Sequence, residues 1–141
     1  MVWSQMEWQV QQLKSFDFEK FEKRLSKRVE TELRNHKRLF THTNEVVGNM
    51  KSIVSREGGK MDILVTAAYL HELATPRMRY GEEASIFEGR TLLEEKKMIS
   101  GRIAREVLTE LDFPQEKVEI VAKYLELGDS LELKRAHHNA R

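Results

Sequence analysis

The stretch DILVTAAYLHELA, Asp62 to Ala74, decides the fold. Asp62 is of the type that caps helix N-termini and Thr75-Pro76 is a turn-forming pair, so the segment between them reads as a helix of about three turns. Ile63, Leu64, Val65, Ala67, Ala68, Tyr69, Leu70, Leu73 and Ala74 leave almost no polar face. A helix that is apolar nearly all round belongs at the centre of a protein. Its last turn nevertheless carries His71 and Glu72 side by side. Two ionisable groups ending the most buried helix require partners from elsewhere in the chain, because an unpaired buried charge is costly.

Immediately before it, Glu57-Gly58-Gly59-Lys60 forms a turn, preceded by HKRLFTHTNEVVGNMKSIVSRE. There Leu39, Val46, Met50 and Ile53 follow the helical period, so a helix is expected from about Asn35 to Arg56. His42 lies three residues after Leu39 and four before Val46, on that apolar stripe. His36 need not share its face. A histidine on such a stripe is either a hydrogen-bonded core residue or a ligand, and the stripe alone does not separate the two. The short turn makes the two helices antiparallel neighbours. His42 precedes it by about 16 residues and His71 follows it by about 12, which places the two rings within about 6 Å of the same level.

Further out, Val2, Met6, Val10 and Leu13 with Trp3 and Trp8 suggest an amphipathic helix over residues 1–16, packing on the core or serving as an oligomer contact. Asp17 is placed to cap a second helix bearing Phe18, Phe21, Leu25, Val29 and Leu33. Beyond Pro76, RMRYGEEASIFEGRT reads as an irregular loop whose Arg77 and Arg79 are suited to an anion. Helix returns from Leu92 to Leu111, with Ile99, Ile103, Val107, Leu108 and Leu111 inward. Asp112-Phe113-Pro114 turns into another helix lined by Val118, Val121, Ala122 and Leu125 and stopped at Gly128. After Asp129, residues 131–141 form a short terminal helix or tail. His137 and His138 are adjacent, diverge on a helix and read as surface.

Composition sets the outer limits. One domain of 141 residues is large enough for a core, and 24 basic against 23 acidic residues give a net charge of +1. That balance makes no case for nucleic acid or a membrane surface. There is no cysteine, so disulfides, thiolate metal sites and cysteine nucleophiles are excluded. Nothing approaches a transmembrane span, and acidic and polar residues stand where a signal peptide needs an apolar run, so a cytoplasmic protein is expected. Two prolines, seven glycines and 33% charged residues favour long helices, and no stretch shows sustained period-two alternation. The expected fold is an all-α, single-domain helical bundle over 1–141, with N-terminal helices to residue 34, a core from 35 to 130 and the terminal segment.

His42, His71, Glu72 and Asp129 together make a mixed nitrogen and oxygen donor set for one divalent ion such as Mn, Fe, Ni, Zn or Mg. Such an ion would neutralise the buried carboxylates and acidify a water. Each residue also has a purely structural role open to it; Asp129, for one, could cap the terminal helix.

The order and surroundings of these residues resemble the HD-domain superfamily of metal-dependent phosphohydrolases. RLFTHTNEVV, 38–47, looks like that family's first-histidine segment, and AAYLHELA, 67–74, looks like its His-Asp segment with Glu72 in place of Asp. SGRIAREVLTELDFPQEKVEIVAKYLELGD, 100–129, is similar to its later two helices and ends on the last Asp as Asp129. The likeness covers roughly residues 35 to 130. It implies His42, His71, Glu72 and Asp129 as metal ligands, Glu72 as a catalytic carboxylate, and a phosphate ester or nucleotide as substrate. Arg38, Arg77 and Lys97 are the candidate phosphate contacts. Where many members carry histidines for a second metal, this chain has EEKKMISG and LELGD, and Lys96, Lys97 and Leu127 are not metal ligands, so a single-metal centre is implied. Ala74-Thr75 also replaces the Gly-Lys that often follows the motif. These departures keep a second class open: a binding or regulatory module that retains the fold without turnover, and without need of an ion.

Overall fold

The computed structural model describes residues 16–78, 92–128 and 131–138, and among them every regular element is an α-helix. The expected helix over residues 1–16 and the loop beyond Met78 lie outside the described residues, as does Asp129.

Helix α1, Phe18–Glu32, starts where Asp17 accepts a hydrogen bond from the Lys20 amide at 3.3 Å, as the capping pattern requires. It buries Phe21, Leu25 and Val29 at four-residue spacing. Helix α2, Lys37–Glu57, buries Val46, Val47, Met50, Ile53 and Val54 and stops at Gly58-Gly59, whose φ angles of 85° and 122° suit glycine. Helix α3, Met61–Leu70, follows at once, and every side chain from Ile63 to Leu70 is buried. It packs against α1 and α2 and against the later helices over Leu92–Glu110, Gln115–Leu127 and Leu131–His138.

Two details of α3 differ from expectation. The N-cap is Lys60; Asp62 sits in the first turn, accepting from the Ile63 amide at 2.9 Å and pairing with Lys117. An acidic residue there still suits the positive end of the helix dipole. At the other end the helix does not run on to Ala74. It breaks at residues 71–73, and a five-residue helix α4, Ala74–Met78, begins after the break with Pro76 inside it. The physical cause is Pro76, which in a continuous helix would lack the bond to the Glu72 carbonyl and collide with it. The chain tightens instead, with the Leu73 amide on the Leu70 carbonyl and the Thr75 amide on the Glu72 carbonyl, both at 3.2 Å. Pro76 is then in a first turn, where a missing N–H costs little.

Helix α5, Leu92–Glu110, and helix α6, Gln115–Leu127, form an antiparallel pair. Arg105 on α5 bonds Glu119 at 2.9 Å and Glu126 at 3.0 Å across it. Gly128 closes α6 in the left-handed conformation, φ 66°. Helix α7, Leu131–His138, returns to lie on α2 and α3. Asn49 donates to the Ala136 carbonyl at 3.0 Å, Ala136 is fully buried, and Arg135 pairs with Glu57. The topology brings the N-terminal third of α2, the end of α3 and the end of α7 to one place.

Candidate metal centre

His71 is built first, because its surroundings fix its chemistry. It stands where α3 ends, 7% exposed, with Nδ1 at 2.6 Å from the Ala68 carbonyl oxygen. A carbonyl only accepts, so Nδ1 carries the proton and Nε2 is left with its lone pair. That Nε2 is fully buried and has no hydrogen-bond partner, and so is the Nε2 of His42. The two rings face each other across the antiparallel helices with centroids 5.9 Å apart. Orphaned buried polar atoms are uncommon in folded proteins and ask for an explanation.

Glu72, 6% exposed, is the next residue on the same break. Its Oε1 lies 3.4 Å from His71 Nε2, and its Oε2 accepts from the Thr75 hydroxyl at 2.8 Å. Lys96 on α5 brings its ammonium to 3.5 Å from Oε1. From the opposite side comes His137 of α7, its ring 4.4 Å from that of His42 and 5.6 Å from that of His71. His42, His71, Glu72 and His137 each offer one donor atom, and the four atoms lie within 4.8 Å of one another.

The electrostatics favour donor forms at neutral pH. Burial pushes His71 down to about 4, against the opposite pull of the Glu72 carboxylate and the Ala68 carbonyl. Burial, and His42 beside it, likewise hold His137 below its usual value. For Glu72 burial acts the other way, but His71, Lys96 and the Thr75 hydroxyl outweigh it and keep the carboxyl below the usual range. The result is unprotonated nitrogen next to an ionised carboxylate, the donor set that divalent transition ions prefer. These residues therefore fit a metal ion.

Beside the cluster opens a cavity of about 340 Å³, lined by His71, Glu72, Lys96, Lys97, Lys134 and His137, with Leu93, Leu125 and Leu133 on its apolar side. Of the residues expected from sequence, His42, His71 and Glu72 converge, and Lys97 lines this cavity. Arg38 is exposed and lines a recess made by residues 34–39. Arg77 turns toward Glu32 at 3.9 Å and Glu106 at 3.6 Å. Two residues were not anticipated. Lys96 is no metal ligand, yet its ammonium meets Glu72. Its divergence from His138 puts His137 at the surface, and its side chain is 51% exposed, but its ring also meets the cluster. Leu133, Ala136 and His137 stand at i, i+3 and i+4, and that stripe was the available signal.

In sequence comparison, the family model described as the HD domain matches residues 39–141, which includes all four members of the cluster. No curated protein and no solved structure matches the chain.

Proposed function

The chain belongs to the HD-domain family, and from that premise we propose that it is a single-metal phosphohydrolase acting on a small phosphate ester or nucleotide. The observation that supports this best is the buried Nε2 of His71, its tautomer fixed by Ala68, unpartnered and facing His42. His42, His71 and Glu72 would hold the ion, together with Asp129, which the family likeness implies. A bound divalent ion would polarise a phosphoryl oxygen and lower the pKa of a water.

The chain's own residues would do the rest. Lys96 and Lys97 on the cavity wall present positive charge to the equatorial oxygens of a phosphoryl group, where positioning and charge stabilisation supply most of the catalysis. Leu93, Leu125 and Leu133 offer an apolar wall for the organic part of the substrate and limit water around the reacting group. Glu72, held ionised by His71, Lys96 and the Thr75 hydroxyl, would act as the catalytic carboxylate as well as a ligand.

One observation favours the second reading, a module without turnover. The Lys96 ammonium already compensates Glu72, so the buried carboxylate does not depend on an ion for neutralisation. Protein purified without chelators distinguishes the two. The hydrolase reading expects about one equivalent of transition metal and metal-dependent release of phosphate from p-nitrophenyl phosphate or a nucleoside monophosphate. Metal-free protein that stays inactive after reloading would favour the module.

A further inference from the structure

His137 sits oddly for a surface residue. It is on the last turn of a helix of eight residues, half exposed, yet its ring packs edge-on against His42 and its Nε2 lies 3.8 Å from Glu72 Oε1. The anchors of that helix include buried Ala136, a hydrogen bond from Asn49 to the Ala136 carbonyl, one from the Tyr124 hydroxyl to Glu132, half-buried Leu133, and the exposed Arg135–Glu57 pair. A surface pair of that kind contributes little. Three imidazoles and a carboxylate converge here with their donor atoms within 4.8 Å of one another, and the buried Nε2 atoms of His42 and His71 have no hydrogen-bond partner.

We propose that His137 is a further ligand of the same ion, so that metal binding and the docking of α7 stabilise each other. The inference rests on the metal-site reading above and goes beyond it in two respects. First, the ion would join residues 42, 71–72 and 137, so loading it orders the terminal helix. Second, a third imidazole biases the site toward ions that favour nitrogen, such as Zn, Ni or Co, over Mg or Ca, which favour oxygen.

The test compares wild type with His137→Ala and His137→Gln, the second retaining a polar side chain of similar size. Zn and Mg are titrated separately by calorimetry, and amide hydrogen exchange of residues 131–138 is measured with and without Zn. Loss of a direct ligand should weaken Zn binding at least about tenfold, since even outer partners of metal ligands cost that much. Weak Mg binding should change little. Zn should slow exchange in α7 of the wild type and leave both variants unaltered. If wild type binds Zn but both variants bind it equally well, with the same protection of α7, the proposal is overturned and the metal centre stands without His137. If wild type binds no divalent ion, the metal-site reading and this proposal fall together.

Discussion

Among single residues, Glu72 and His71 carry the chemistry of the candidate site. Glu72 stands where the family likeness expects Asp, one methylene shorter. Glu72→Asp is expected to keep the ion, whereas Glu72→Ala should weaken binding at least about tenfold, because it removes the only carboxylate of the described cluster and leaves Lys96 facing the cation. Were Glu72 only a hydrogen-bonded residue at a helix end, Glu72→Ala would leave metal uptake unchanged and cost about 1 kcal/mol of stability. Calorimetric titration of the three proteins decides between these. His71 carries a pH signature. In the metal-free protein its value is about 4 against 6.5 for an ordinary histidine, so the unfolded chain takes up a proton first as pH falls. The stability it contributes is fully present above about 6.5 and is lost progressively toward about 4. Urea unfolding across that range should show the decline in wild type and a flatter profile in His71→Gln; parallel profiles would contradict the assignment.

At the scale of elements, the apolar periods made α1, α2, α5 and α6 legible, because each of those helices packs one stripe inward and turns charge outward. The end of α3 was not legible. Thr75-Pro76 reads as the turn that stops the helix, but the steric reach of Pro76 extends four residues back to the Glu72 carbonyl, so the break falls at residues 71–73. That break carries the two central site residues, and Pro76→Ala is the test of its importance. Relieved of the ring, the chain can extend α3 toward α4. Metal affinity should then fall, while global stability changes by no more than about 1 kcal/mol, the usual scale for proline exchanges outside helix interiors. Unaltered affinity would show that the surrounding core, not Pro76, sets the break. His137 was illegible for another reason. The adjacency of His137 and His138 implies only that the two diverge, whereas the position of His137 beside Ala136 and Leu133 is what brings its half-exposed ring against His42.

At the scale of the whole molecule, the candidate ligands come from helices far apart in sequence, α2, the α3 break and α7, and no local motif contains them all. Sequence spacing could bring His42 and His71 together, because one short turn joins their helices. It could not bring α7 back across α2, since that return depends on how α5 and α6 pack on α3. An ion held by all three segments would bind only the folded chain and stabilise it by about 2.7 kcal/mol at a hundredfold excess over its Kd. Whether this junction holds one divalent ion is decided by Zn titration of the chelator-treated protein, followed by calorimetry with thermal unfolding as a second readout. Wild type should take up one equivalent per chain with a raised Tm, and His42→Ala and His71→Ala should lose both effects. No uptake by wild type, or equal uptake by wild type and both variants, would contradict the account.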